Sequence, residues 1–460
     1  MTANTAFHIA VLPGDGIGPE VMTPTLEILR RIEATTPSLK FRFTEGAAGA
    51  GHYKDTGKSM PESTVKLCEE ADAILLGACG LPSVRYPDNT EIMPQVELRF
   101  IFDLYAGVRP ARLIPGVPSP IVDAHKRGID FILIRESTEG LFASMGKGVV
   151  TQDEARETLV ITRKTSQRLF DFSLRLAERR KKRGKPGLLT CVDKANAFKA
   201  YAYFRSIFDE RAKAFPNVKT DHVYVDACAA LMVRRPWDFD VMVMENIFGD
   251  ILSDLAAGLI GGLGIAPSAD IGDKHAVFQP CHGTAPDIMG QGKANPTAMI
   301  LSAAMMLDWL ADRHDHPPAA DAALRIERAV DKAYAGGIKP MEYGGGDGTA
   351  AIAKAVLASL NRSEATMLFS VFTLDNPDAT DKRKAVHGAH VAHLKNAKAF
   401  GVTITVGGPL VSDDGATSIG SLMVLETSDR ASAEKFNRAD PFHQNGVWGK
   451  VEIRRFDRKE

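Results

Sequence analysis

Residues 240–264 read DVMVMENIFGDILSDLAAGLIGGLG: a short apolar run, a polar turn, then a segment of helical periodicity. The first part predicts a buried strand over 241–244 and the second a helix over 250–259. Asp250 and Asp254 stand four residues apart, so a helix aims both carboxylates the same way. Two convergent carboxylates suit a hard divalent ion such as Mg²⁺ or Mn²⁺. Acids in a first helical turn also serve simply to complement the helix dipole. A strand feeding a helix is the repeating unit of α/β proteins, and the pattern recurs along the first 360 residues. Strands are predicted over 8–12, 73–76, 131–134, 188–191, 222–225 and 241–244, and helices over 19–34, 164–182, 197–214, 250–259 and 296–311.

A chain of 460 residues has the length of two or three domains. Its 56 basic and 57 acidic residues leave a formal charge of −1, which gives no bulk attraction to nucleic acid or an anionic membrane. The most basic run, residues 179–183, falls where a long helix should end, and cations there complement the dipole. Five cysteines (Cys68, Cys79, Cys191, Cys228 and Cys281) are scattered without a CxxC pair and read as small buried residues of a reducing compartment. The opening MTANTAFHIAVLPGDG lacks a charged leader and a long apolar region, and no run approaches the ~18 apolar residues of a membrane span. These features predict a soluble, cytoplasmic protein with neither nucleic-acid nor membrane partners.

The α/β alternation pauses in the polar stretch 359–364. From 366 to 460 the order becomes β-α-β-β-α-β: a strand in MLFSVFTL, a helix over 382–400, a strand pair around Gly407-Gly408-Pro409, a helix over 430–438 and a strand over 447–456. That is the ferredoxin-like α+β plan. The expected domains are therefore 1–362 and 366–460, with a boundary near Arg362.

LPGDGIGPE (12–20) follows a strand and opens a helix, where a dinucleotide fingerprint would sit. Its spacing lacks the final x-x-Gly, so the Rossmann reading fails, and a tight turn with Pro19 in the first helical turn accounts for it. HGTAPDIMGQGKANP (282–296) is a Gly/Pro-punctuated loop too elaborate for a simple turn. These two stretches, the arginines of LRFIFDLYAGVRP and ILIRE, VDKAN (192–196) and NIFGDILSD (246–254) together resemble the β-decarboxylating dehydrogenases, such as isopropylmalate, isocitrate, homoisocitrate and tartrate/D-malate dehydrogenases. The resemblance runs in order from about residue 7 to 358.

The resemblance implies the isopropylmalate/isocitrate dehydrogenase-like two-domain fold, with an inner substrate and dimerisation subdomain over about 109–262. It implies an NAD-dependent oxidoreductase acting on the CH–OH group of a (2R)-2-hydroxy dicarboxylate of the malate type. Arg99, Arg109 and Arg135 would bind the carboxylate that leaves as CO₂; by themselves they read more readily as ion-paired surface arginines near strand ends. Lys194 would take the hydroxyl proton and Asn196 would lie near the nicotinamide. Asp226, Asp250 and Asp254 would bind Mg²⁺ or Mn²⁺. In the family the lysine and the first aspartate reach in from a second subunit, so at least a homodimer is expected. His282, Gly283, Thr284, Ala285, Asp287 and Asn295 would bind the adenosine end. A carboxylate at Asp287 can accept from both ribose hydroxyls and would repel a 2′-phosphate, which favours NAD.

The chain departs from its relatives in two places. Phe142 stands where most carry the tyrosine that protonates the enol, and phenylalanine has no proton to give. Gln279 stands where relatives usually carry glutamate. The specificity segment Ile92-Met93-Pro94-Gln95-Val96 matches neither the leucines of isopropylmalate enzymes nor the serine and asparagine of isocitrate enzymes, so the substrate side chain stays open.

The C-terminal residues Lys382-Arg383, HVAHL, Gly407-Gly408-Pro409 and Ala439-Asp440-Pro441-Phe442 resemble the YCII-related domains. That resemblance implies a dimerising module whose candidate acid–base pair is His390 and Asp440, with the carboxylate fixing the imidazole tautomer. A histidine in a dimer interface is the alternative. His387 and His393 share the helix face of His390, which leaves a metal cluster open. The module would either process the oxidised product as a lyase or isomerase, or serve only oligomerisation.

Overall fold

The computed structural model describes residues 5–361, 367–427 and 429–456. The expected boundary at Arg362 and the residue 366 that opens the second module lie outside them. The chain divides into two compact units, Met1–Leu360 and Asn361–Glu460.

Unit 1 is built on one ten-stranded mixed sheet, as the sequence predicts for its fold class. The strand order is Leu39–Glu45, Thr5–Gly14, Ala73–Ala78, Ala276–Pro280, Pro267–Ile271, Ala106–Arg112, Asp130–Glu136, Val241–Met244, Leu188–Asp193 and Lys219–Tyr224. Its central strands are buried on both faces, as a sheet covered by helices on both sides requires; Val241–Met244 and Pro267–Ile271 are buried at every position. The basic segment 179–183 ends the helix Arg163–Lys182, and its arginines pair with acids: Arg180 with Asp130 and Asp240, Arg179 with Asp308 and Asp312. Among the described residues no helix is long and apolar enough to cross a membrane.

Several local expectations shift. The helix predicted over 250–259 spans Asn246–Ile260, because the Glu245 carboxylate caps it by accepting from the amides of Ile247 and Phe248. Asp250 and Asp254 therefore lie beyond the first turn, where complementing the helix dipole no longer accounts for them. The strand predicted over 222–225 spans Lys219–Tyr224, so Asp226, expected directly after it, sits in the first turn of the helix Val225–Arg234. The helix after VDKAN begins at Lys199, not at 197.

LPGDGIGPE owes its glycines to packing. Gly16 has φ +57°, and a Cβ there would lie 2.1 Å from the Thr284 carbonyl oxygen, whose residue accepts from the Ile17 amide at 2.9 Å. The buried Asp15 carboxylate accepts from the amides of Ala50, Gly51 and Gly80 at 2.6–2.8 Å, tying three chain segments together.

Unit 2 is a four-stranded antiparallel sheet in the order Val402–Val411, Ser418–Thr427, Met367–Asp375, Trp448–Phe456, with the helices Ala379–Lys395 and Arg430–Arg438 packed on it. This is the predicted ferredoxin-like plan. Gly407-Gly408-Pro409 does not form the hairpin turn, however. It lies inside an edge strand, where proline is tolerated, and the turn falls at 412–417 around Gly415 with φ +71°.

Candidate functional site

Three buried arginines converge in the middle of the unit 1 sheet. Arg109 and Arg135 come from the antiparallel strands Ala106–Arg112 and Asp130–Glu136, and two residues of register put them on one face. Arg99 is not at a strand end; it comes from the last turn of the helix Pro94–Ile101. All three are less than 9% exposed.

Guanidinium groups this deep need counter-charge. Arg135 donates to Asn246 Oδ1 at 2.8 Å and pairs with the Asp250 carboxylate. Burial and the like charge of Arg99 bring Arg135 down to about 10. The second counter-charge is Asp270, which sequence reasoning missed. It lies 3.1 Å from Arg99 and 3.9 Å from Arg109, and accepts from Gln279 Nε2 at 3.0 Å and Ser137 Oγ at 3.3 Å. Asp270, Gly107 and Arg135 form one row across three strands, and a Cβ at Gly107 would meet Ser137 Oγ at 2.7 Å. Burial disfavours the Asp270 charge, but Arg99, Arg109 and Arg135 outweigh it and hold the carboxyl below its usual range. The only sequence signal was an acid inside PSADI, an otherwise small and apolar strand.

Asp250 and Asp254 project from one face of the helix Asn246–Ile260. Burial, and then the neighbouring Asp250 charge, push Asp254 upward, opposed by Arg109 and Arg135. Phe142, in the 3₁₀ turn Leu141–Ser144, lies with its ring 5.6 Å from the Arg135 guanidinium. Arg99, Arg109, Arg135, Phe142, Asp250, Asp254, Asp270 and Gln279 thus form one site.

Lys194 and Asp226 do not join it within one chain. They pair with each other, Nζ to Oδ1 2.6 Å, Lys194 just past the strand Leu188–Asp193 and Asp226 in the first turn of the helix Val225–Arg234, and the lysine lowers the Asp226 carboxyl. Among the described residues no three His, Cys, Asp or Glu side chains gather as a metal site. Asn196 is exposed beside Lys194.

The loop 281–296 follows the strand Ala276–Pro280. Burial holds the His282 imidazole below its usual range, and its Nε2 is buried with no partner. A side chain at Gly283 would meet open space, Thr284 is buried and Asp287 exposed; Ala285 holds φ +37°. Asn295 departs from expectation: its carboxamide donates to Tyr334 and Glu342 and accepts from the Thr297 amide, so it is spent inside the fold.

The sequence profile of isocitrate/isopropylmalate dehydrogenases matches residues 8–356. A 3-isopropylmalate/3-methylmalate dehydrogenase of Methanocaldococcus jannaschii is 41% identical over 349 residues, covering 76% of this chain and 97% of that protein. The chain belongs to the isocitrate/isopropylmalate dehydrogenase family. Another relative, an isocitrate/homoisocitrate dehydrogenase of Thermus thermophilus, is 41% identical and covers 77% of this chain and 99% of itself. Among solved structures, isocitrate dehydrogenase from Methylococcus capsulatus superposes with a TM-score of 0.66 at 34% identity, over 77% of this chain and all of that one. The isocitrate/isopropylmalate dehydrogenase match leaves unit 2 uncovered; there the profile of the YCII-related domain matches residues 367–457.

Unit 2 holds a site of its own. His390 Nδ1 lies 2.8 and 2.9 Å from the two oxygens of the fully buried Asp440 carboxylate. The ring stacks on Phe442 at 3.8 Å, and Trp448 packs edge-on at 6.0 Å. Asp440 also accepts from the Phe442 amide, so its position is fixed twice. His393 is turned away: its Nε2 lies 3.0 Å from the Phe436 carbonyl oxygen and its ring stacks on Phe436. No His387–His390–His393 metal cluster forms.

Proposed function

We propose that unit 1 oxidises a (2R)-2-hydroxy dicarboxylate of the malate type with NAD and a divalent ion, with loss of the β-carboxylate. The observation that carries this reading is the buried arginine trio set against the paired carboxylates of Asp250 and Asp254. A planar guanidinium pair grips a carboxylate with two parallel hydrogen bonds, and desolvation strengthens the grip. Asp250 and Asp254 fit a Mg²⁺ or Mn²⁺ ion, because the second carboxyl is raised partly by the first and a cation would relieve that repulsion. Asp226 would complete the set. When bound, the ion supplies Lewis-acid polarisation of the substrate oxygens. Lys194 serves as base for the hydroxyl proton.

Because Lys194 and Asp226 pair with each other, base and metal ligand would enter the site of a second copy together. Exposed apolar residues favour a homodimer: Val150 on the two-stranded arm Val149–Val150/Ala155–Arg156 is 81% exposed, and Ile251, beside Asp250, is 65% exposed. The unpartnered His282 Nε2, the open space at Gly283 and the exposed Asp287 carboxylate fit a dinucleotide whose ribose carries free hydroxyls. That fit is the basis for NAD.

Unit 2 carries a second reading, favoured by the His390–Asp440 geometry: an acid–base pair with Asp440 holding the imidazole tautomer. The test for unit 1 is a screen of malate, tartrate, isopropylmalate and isocitrate with NAD and Mn²⁺, recording NADH and CO₂ together. Equal yields support oxidative decarboxylation, and NADH without CO₂ reduces the reaction to oxidation. No NADH with any 2-hydroxy dicarboxylate defeats the reading.

A further inference from the structure

Beside His390 lies a cavity of about 590 Å³ between the helix Ala379–Lys395 and the strands Val402–Val411 and Ser418–Thr427. His390 is 7% exposed. Its Nδ1 is taken by Asp440, which leaves Nε2 as the ring atom able to reach a ligand in the cavity it lines.

The walls are graded along the helix. Arg383, Lys384 and His387 line its N-terminal half, and Val391 and Leu394 its C-terminal half, facing Ile404 and Met423 on the sheet. Among the described residues no acidic side chain lines the cavity. Arg383 is already neutralised by Asp375, at 2.7 and 2.8 Å, and holds Gly420 and Ser421 as well. The charge offered to a ligand is therefore that of Lys384, with the His387 ring beside it as a second polar group on the same stretch of helix.

Resting on the acid–base reading of His390 and Asp440, we propose that this cavity takes a small organic acid with an apolar tail and a C–H bond beside a carbonyl. The carboxylate lies at Lys384 and His387, and the tail lies against Val391, Leu394 and Met423. Nε2 of His390 accepts the carbon-bound proton, the C–H electron pair becomes the enolate double bond, and negative charge passes to the carbonyl oxygen. Return of the proton to carbon restores the imidazole, so no oxidant or reductant is consumed. A 2-oxo acid, the class of product that oxidation of a 2-hydroxy acid yields, has such a C–H bond. This site would then follow a dehydrogenase step of the kind proposed for unit 1.

The test uses the full chain in ²H₂O with EDTA and without NAD, so that metal-assisted enolisation in unit 1 is silent. The probe is 4-methyl-2-oxopentanoate, followed by loss of its C3 proton signal. Exchange above buffer is expected, falling about 100-fold or more in His390→Gln. A Lys384→Gln/His387→Gln variant, altered only at exposed positions, should raise KM about tenfold, the loss of roughly one charge-assisted contact, with kcat little changed. The neutral ketone 4-methyl-2-pentanone should exchange far more slowly than the acid. If the ketone exchanges as fast, or the double variant keeps its KM, the carboxylate assignment falls while the acid–base pair stands. If the wild type shows no exchange above buffer, or His390→Gln exchanges like wild type, the acid–base reading itself falls.

Discussion

Asp270 makes the sharpest demand on unit 1. Asp270→Asn keeps the shape and one acceptor oxygen but removes the buried countercharge of Arg99 and Arg109, at 3.1 and 3.9 Å. It also aims an amide N–H at one of the donors that now converge there, Arg99 and Gln279 on one oxygen and Ser137 on the other. Breaking one side of a buried pair costs about 3–5 kcal/mol. With an unfolding entropy of about 2.1 cal/mol/K per residue over the 360 residues of unit 1, the melting temperature should fall by about 4–7 °C. The sign with pH is fixed by the lowered carboxyl of Asp270: its contribution is present above the unfolded value of 3.8 and is lost only as pH falls through its lower folded value. The gap between wild type and variant should therefore stay constant from neutral pH down to about pH 4. Malate should stabilise the variant more than the wild type, because its carboxylate supplies the missing countercharge. Slackened arginines should also cost about 10–100-fold in kcat/KM. Thermal scans with and without malate, together with initial rates, decide the matter. An unchanged melting temperature, or one lowered only near neutral pH, would refute the electrostatic role.

Three further outcomes follow from the same geometry. Asp254→Asn should weaken Mn²⁺ activation by at least the ~10–100-fold typical of disturbed metal sites, read from the Mn²⁺ dependence of NADH formation. Phe142→Tyr should raise the ratio of CO₂ to NADH if the aromatic ring beside Arg135 stands where a proton donor is useful; a ratio already at one in the wild type would show that no donor is missing there. Burial pushes Glu136 up to about 7 from 4.5, although it accepts from the Thr138 amide and hydroxyl and the Glu139 amide. The folded state thus keeps a proton the unfolded chain has released, so stability from this group is full below about pH 4.5 and declines as pH rises through about 7. Glu136→Gln should flatten that stretch of the stability–pH curve in urea titrations, and a parallel curve would place the slope on other groups.

What the sequence made legible was local. A short apolar run giving way to helical periodicity located the Val241–Met244 strand and its helix, and the second helix of unit 2 was predicted with its observed bounds, Arg430–Arg438. The i,i+4 spacing aimed Asp250 and Asp254 alike with no knowledge of the sheet. Errors arose where a cap or a tertiary neighbour decided the outcome. Glu245 moved a helix start by four residues, and an edge position turned a Gly-Gly-Pro turn signal into strand. Asn295 looked like a ligand in its loop but is claimed by Tyr334 and Glu342. Asp270 was invisible for the same reason: its partners are 171 and 161 residues away, Arg99 on the helix Pro94–Ile101 and Arg109 on the strand paired with its own, and they meet it only in the folded unit. A motif can therefore show which groups do chemistry while hiding the groups that neutralise them, because neutralisation is a property of the packed sheet. His390 and Asp440 fit that rule from the other side. They are 50 residues apart, and the sequence suggested the pair only through resemblance. Their stacking on Phe442 and the charge-graded cavity beside them, which give the pair something to act on, exist only in the folded unit.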